Sequence, residues 1–255
     1  MVLNKKTMKI LGIIPSRYAS TRFPGKPLAN IGGKTMIQRV YEQASLSKNL
    51  TELIVATDDN RIFDHVTSFG GKVLMTSADH FTGTERCAEV AEKYLGNWDL
   101  LINIQGDEPF IHPSQIDMLC NCFDDEHTQI ATLAKKIERL DELENQNVVK
   151  VVFSKLGNAI YFSRFPIPFL RNFDGKLSKI EKHLFYKHLG LYAYRAEALK
   201  RITKLMPSSL ELAESLEQLR WLENEIGIKV GITEFDSFGI DTPEDLLKIQ
   251  EKFHP

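Results

Sequence analysis

The sequence predicts an α/β protein with a mainly parallel sheet flanked by helices. Three observations predict it. Short apolar runs of strand length alternate with helical stretches through the first half of the chain. Polar or glycine-containing turns separate them, as in βα units. Of the 255 residues, 43% are hydrophobic, enough for a sizeable buried core.

Each element has its own signal. The run over 10–14 is apolar throughout and stops at Pro15, which reads as a buried strand. A helix is expected over 36–47, a strand over 53–56 and a helix over 61–69 that ends at Gly70 and Gly71. A strand over 72–75, a helix over 84–95 and a strand over 100–104 complete the regular half. Strands over 148–153 and 159–162 form a pair about the turn 155–158, and another strand spans 188–194. There Tyr192 and Tyr194 read as opposite faces, one buried and one exposed. A long helix is expected over 211–225, its Glu211, Glu214 and Glu217 near one largely solvated face, and a last helix over 242–252. No repeat, low-complexity tract or linker interrupts the chain, so residues 1–255 read as one domain, with 1–8 a disordered lead-in.

Charge and composition exclude several classes. Lys plus Arg total 32 and Asp plus Glu 34, a net charge of −2, so no broad basic surface awaits long nucleic acid. Cys87, Cys120 and Cys122 are odd in number and lack metal-site spacing, which fits reduced thiols in a cytoplasmic enzyme. The apolar run over 10–14 is too short for a signal core or a membrane span, so no membrane insertion is expected.

The ligand-bearing segments follow strands, where open parallel sheets bind ligands. The segment 15–28 holds Ser16, Arg17, Ser20, Thr21, Arg22, Gly25 and Lys26, a set of hydroxyls, cations and glycine suited to a triphosphate. Its length exceeds the roughly 2–6 residues of an ordinary βα loop. Gly33-Lys34-Thr35 mimics the end of a P-loop, but Leu28 stands where that motif needs glycine, so Gly32-Gly33 reads as a turn. Asp107, after the strand over 100–104, reads either as a Mg²⁺ ligand beside a nucleotide or as a turn and cap residue. Asp241 precedes a helix start already capped by Thr242, with Pro243 at the first helical position and Asp245 completing a capping box. Asp241 is thereby left for another role, and two such aspartates suggest a metal site.

With these clusters in view, the chain resembles the 3-deoxy-manno-octulosonate (Kdo) cytidylyltransferase, or CMP-Kdo synthetase, family. The motifs are PSRYASTRFPGKPL at 15–28, VATDD at 55–59, GTER at 83–86 and NIQGDEP at 103–109, then YFSR at 161–164, KHLGLYAYR at 187–195, LEQLR at 216–220 and GIDTPEDL at 239–246. The resemblance implies a Rossmann-like nucleotidyltransferase fold with a smaller sugar-binding or dimerisation lobe at about 155–200. It implies Mg²⁺-dependent transfer of CMP from CTP to Kdo with loss of pyrophosphate, for lipopolysaccharide assembly in the cytoplasm, by a homodimer. By resemblance, Arg17 and Lys26 bind the phosphates and act in catalysis with Asp107 and Asp241, the Mg²⁺ ligands. Pro15, Ser16 and Gly83 complete the nucleotide contacts, while Arg86 and Gln105 serve nucleotide or sugar. Arg164, His188, Tyr192, Glu217 and Gln218 face the sugar. Ser16 stands where many relatives carry Ala, and 166–184 is less typical.

The implied chemistry is in-line attack of the anomeric hydroxyl on the α-phosphorus, with cations placed where charge develops. Arg164 or Arg86 would take the sugar carboxylate. His188 is a rival general base, ranked below a hydrogen-bonded strand histidine or a sugar contact. Alternatives are a cytidylyltransferase for a sialic acid or an amino-substituted octulosonate, or a non-catalytic nucleotide-sugar sensor. Retention of both Asp107 and Asp241 disfavours the sensor.

Overall fold

The computed structural model describes residues 8–20, 22–173, 178–236 and 238–253, so 1–7 of the expected lead-in and Thr21 of the first loop lie outside the described residues. In chain order the elements are β1 (Ile10–Ser16), β2 (Asn30–Ile31), β3 (Lys34–Thr35), α1 (Met36–Ala44), β4 (Glu52–Thr57), α2 (Asn60–Ser68), β5 (Val73–Met75), α3 (Gly83–Lys93), β6 (Leu100–Asn103) and α4 (Pro113–Asn121). There follow β7 (Ile130–Lys136), α5 (Leu140–Glu144), β8 (Lys150–Phe153), β9 (Ala159–Ser163), α6 (Lys179–Lys182), β10 (Tyr186–Arg195), α7 (Ala196–Ile202), α8 (Ser209–Glu214), α9 (Glu217–Glu223), β11 (Ile228–Ile232) and α10 (Pro243–Phe253). They divide into two compact units, one of Met1–Asp117, Tyr194–Thr203 and Ser237–Pro255, the other of Met118–Ala193 and Lys204–Asp236.

The first unit holds the strand order β6-β1-β4-β5, every pairing parallel, as the sequence predicts. Leu11, Ile13, Ile14, Val55, Leu101 and Ile102 are fully buried, the near-continuous apolar pattern of strands covered on both faces. Because the strands run the same way, Ser16, Thr57, Met75 and Asn103 end them at one edge, and the loops that follow open there. Gly32 and Gly33 form the β2–β3 hairpin turn with φ of 54° and 85°, so this segment is a hairpin and no phosphate loop. Ile31, Met36, Ile240 and Ile249 then make one buried cluster, with Phe23 and Leu246 packed on it. That cluster anchors the first loop beside the start of α10, more than two hundred residues later in the sequence.

In the second unit β7 pairs parallel with β11 and neighbours β10, while β8 pairs antiparallel with β9 and β10. The expected β8–β9 pair closes through Ser154 N–H to the Asn158 carbonyl at 2.8 Å. The expected single helix over 211–225 is two, α8 and α9, broken at Ser215 with φ of 52°. Arg164 gives the reason. Its Nε and Nη2 donate to the carbonyls of Glu214 (2.7 Å) and Ser215 (3.2 Å), satisfying acceptors at the end of α8 that no further turn then needs. Nor do the three glutamates share a solvated face: Glu211 forms an ion pair with Arg220, and Glu214 accepts from the Ser163 hydroxyl at 2.6 Å. Tyr192 and Tyr194 are both buried, because residues two apart on a strand point to the same side. Among the described residues no helix is long and apolar enough to cross a membrane.

Candidate active site

At the carboxyl edge of the first unit's strands lies a cleft of about 260 Å³. Pro15, Ser16 and Arg17 from the end of β1, Lys26 from the first loop, Gly83 and Arg86 from α3, Gln105 and Asp107 after β6, and Asp241 before α10 all line it. Nine residues singled out by sequence thus meet in one place.

Lys26 is the centre of the arrangement. Its Nζ donates to Asp107 Oδ2 at 2.7 Å and to Asp241 Oδ1 at 3.2 Å, and Arg22 Nη2 also reaches Asp241 Oδ1 at 3.3 Å. The backbone fixes this meeting. The Ile240 N–H donates to the Asp107 carbonyl at 2.9 Å, stitching the two aspartate loops together. Thr242 and Asp245 form the expected capping box, Asp245 N–H to Thr242 Oγ1 at 3.2 Å and Thr242 N–H to Asp245 Oδ2 at 3.1 Å. Burial pushes the Asp245 carboxyl up, but its hydrogen bonds from Thr242 and the backbone N–H groups outweigh that and lower its pKa. Lys26 itself opens a 3₁₀ turn entered through Gly25 at φ 71°, where a Cβ would sit 3.0 Å from the Tyr18 ring. Tyr18 is held in turn by the Arg61 guanidinium, 3.3 Å from its ring centroid, with Arg61 paired to Asp59 at 2.6 Å.

Gly106 sets the approach of Asp107. A Cβ there would lie 2.8 Å from the Pro15 carbonyl oxygen and 3.1 Å from Ser16 Oγ, so only glycine lets this loop close on the end of β1. Gly106→Ala is expected to cost about 1–3 kcal/mol of stability, the scale of overpacking, and to lower turnover by displacing Asp107. Thermal melts and steady-state rates of the variant check both.

The remaining nucleotide candidates differ in freedom. Arg17 is exposed. Arg86 is buried and committed, pairing with Asp58 Oδ2 at 2.8 Å and with the Thr76 hydroxyl. Ser16 Oγ is buried with no partner among the described residues. Sequence reasoning missed Asn103, His80, Phe81 and Thr82, which also line the cleft. The signal was present: the rule that sends ligands beyond strand ends applies to β5 and β6, the strands these residues end or follow.

The rim from His80 to Thr82 is built on α3. Thr82 caps that helix in a reciprocal box with Glu85. Glu89 accepts from Ser77 N–H at 2.8 Å, is hydrogen-bonded to His80 and pairs with Lys93 at 2.5 Å. Burial works to raise the Glu89 carboxyl, but Lys93, the Ser77 N–H and His80 prevail and hold its pKa at about 2, against an ordinary 4.5. A depressed carboxylate stabilises the fold fully above its unfolded pKa, and the contribution is lost as pH falls through the folded one. The melting-temperature gap between the wild type and Glu89→Gln is therefore expected to be constant above about pH 5 and to shrink between about pH 4.5 and 2. A gap unchanged at pH 3 contradicts this assignment.

Arg164, His188, Tyr192, Glu217 and Gln218 belong to the second unit. Arg164 commits three of its guanidinium N–H donors to the carbonyls of Gln146, Glu214 and Ser215. Its own carbonyl is held by the buried Lys150, which also donates to the carbonyls of Asn145 and Val148. His188 Nε2 lies 3.0 Å from the Thr132 hydroxyl, its ring against Phe162 and Tyr192. Desolvation pushes its pKa down to about 3, so at neutral pH it is an uncharged hydrogen-bonding group and a weak base. Burial, and then the charge of Glu217, raise the Tyr192 phenol, whose ring packs edge-on to Trp221. Gln218 is buried, and its amide nitrogen has no partner among the described residues.

Comparison with known proteins accords with this geometry. A family model described as cytidylyltransferase matches residues 11–230. A 3-deoxy-manno-octulosonate cytidylyltransferase of Bacteroides thetaiotaomicron is 60% identical over 247 residues, 96% of this chain and 98% of that one. Its counterpart in Cytophaga hutchinsonii is 52% identical over 242 residues, 95% of this chain and 96% of that one. A solved CMP:2-keto-3-deoxy-manno-octonic acid synthetase complexed with CTP superposes with a TM-score of 0.88 at 43% identity, covering 96% of this chain and 98% of that one.

Proposed function

The chain belongs to the 3-deoxy-manno-octulosonate cytidylyltransferase family, and on that premise we propose that it transfers CMP from CTP to Kdo, forming CMP-Kdo and releasing pyrophosphate. The observation that carries this reading is the convergence of Asp107 and Asp241 on the Lys26 ammonium at the carboxyl edge of the parallel strands. Lys26 and Arg17 neutralise the phosphates and the charge that grows on them as pyrophosphate departs, and preorganised cations lower the barrier because they need no reorganisation during the reaction. Pro15, Ser16, Gly83, Arg86 and Gln105 shape the nucleotide's bed.

The donor set suits Mg²⁺. Asp107 and Asp241 both reach the Lys26 ammonium, at 2.7 and 3.2 Å, so two hard carboxylate donors face one cation. Mg²⁺ takes hard oxygen donors and commonly needs only one or two carboxylates besides phosphates and water. Bound by Asp107 and Asp241, it would supply charge neutralisation and lower the pKa of the attacking sugar hydroxyl. Arg164 takes the sugar carboxylate, and His188, Tyr192, Glu217 and Gln218 take sugar hydroxyls. His188 does so as a neutral group whose lowered pKa makes it a weak base. The enzyme works as a homodimer in the cytoplasm and feeds lipopolysaccharide assembly.

The test is pyrophosphate release from CTP and Mg²⁺ with Kdo, its 8-amino analogue or a sialic acid as acceptor. Kdo is expected to give the highest kcat/KM. Preference for another acid would move the assignment to that sugar, and CTP binding without turnover on any of them would make the chain a sensor.

A further inference from the structure

We infer that Phe81 is the surface on which the nucleotide's base stacks, supplying affinity for the ring while leaving the choice of base to other groups; this rests on the CTP reading above. Phe81 is 88% exposed, while the backbone that carries it is held in place. Its N–H donates to the Glu85 carboxylate at 2.7 Å, the preceding His80 is tied to Glu89, and the following Thr82 caps α3. The segment therefore presents an apolar ring to water on a fixed backbone. Single exposed apolar side chains are common and need no ligand. What separates Phe81 is its place as the one phenyl ring among the described residues that line the cleft.

The chemistry of the cleft is divided in a way that matches a nucleotide. Arg17, Arg22, Lys26, Asp107 and Asp241 carry charge suited to phosphates and a cation. Phe81, Thr82, Gly83 and Asn103 are neutral, and the nearby Arg86 is already neutralised by Asp58 at 2.8 Å. At Gly83 a Cβ would sit 3.2 Å from Asn103 Nδ2 and 3.5 Å from the Pro15 ring, so glycine lets the start of α3 pack closely against the ends of β6 and β1. A flat, neutral, hydrogen-bonding ring fits the neutral group, and the charged tail fits the charged one. Pockets of this kind bind by apolar cover plus a few placed polar groups.

Stacking recognises the face of a base and is indifferent to its edge, so its loss should weaken nucleotide binding and spare a bare polyphosphate. The full chain with Mg²⁺, as wild type, Phe81→Ser and Phe81→Trp, is titrated calorimetrically with CTP and with inorganic tripolyphosphate. Because the side chain is exposed, both variants should fold, which melting curves verify. Phe81→Ser is expected to bind CTP about 5- to 100-fold more weakly, Phe81→Trp to retain wild-type affinity, and tripolyphosphate affinity to change less than about twofold in either. Unchanged CTP affinity in Phe81→Ser, or an equal loss for both ligands, overturns the stacking role and leaves the proposed reaction standing. A wild-type chain that binds tripolyphosphate but no CTP overturns both.

Discussion

Replacing Asp107 by Asn is expected to lower kcat by about 10³-fold, roughly 4 kcal/mol of barrier, with the fold intact. The substitution keeps the side-chain volume and removes the charge that a divalent cation would need. The structural duty of Asp107 lies in its backbone, whose carbonyl accepts the Ile240 N–H at 2.9 Å and is untouched by the change. The side chain is 28% exposed and its ionic partner Lys26 keeps a second carboxylate in Asp241 at 3.2 Å, so no buried charge is stranded. Melting temperature and circular dichroism should therefore match the wild type while turnover collapses. A purified variant within tenfold of the wild-type rate at saturating Mg²⁺ would contradict the metal role.

Lys26→Ala is expected to remove about 3 kcal/mol of transition-state stabilisation, close to 10²-fold in kcat/KM, the scale of one preorganised electrostatic contact. Loss of the ammonium differs in its signature from loss of the metal. The Lys26 ammonium and a divalent cation compete for the same oxygens of Asp107 and Asp241. Deleting the ammonium leaves those carboxylates less neutralised, so the apparent Mg²⁺ affinity should hold or rise while kcat/KM for CTP falls. An unchanged kcat/KM would remove Lys26 from the chemistry. A parallel fall in Mg²⁺ affinity would make it a scaffold for the aspartates instead.

Much of the first unit was legible because its signals are local. Buried parallel strands read as unbroken apolar runs, and β1, β4 and β6 fall within two residues of where those runs place them. The Thr242 box was readable for the same reason, since its partner lies three residues away. The candidate site was legible through strand ends, which bring distant segments to one edge. What stayed hidden depends on contacts that sequence spacing cannot express. The break between α8 and α9 is made by Arg164, about fifty residues upstream, capturing the carbonyls of Glu214 and Ser215. The Arg86–Asp58 pair, which neutralises a cation expected to face ligand, joins residues 28 apart. The strands β7 and β11 pair with each other across an even longer separation, and neither was expected. Phe81 escaped because an exposed aromatic carries no periodic signal; only its place in the cleft makes it informative.

The most direct test of the account is the anomalous diffraction of Mn²⁺ in crystals grown with CTP, Mn²⁺ standing in for Mg²⁺ on the same oxygen donors. A Mn²⁺ peak is expected within coordinating distance of carboxylate oxygens of both Asp107 and Asp241 and of the nucleotide phosphates, with the Lys26 ammonium no longer between the two aspartates. A peak bound to the phosphates alone, with the Lys26 bridge to both aspartates still closed, would contradict it.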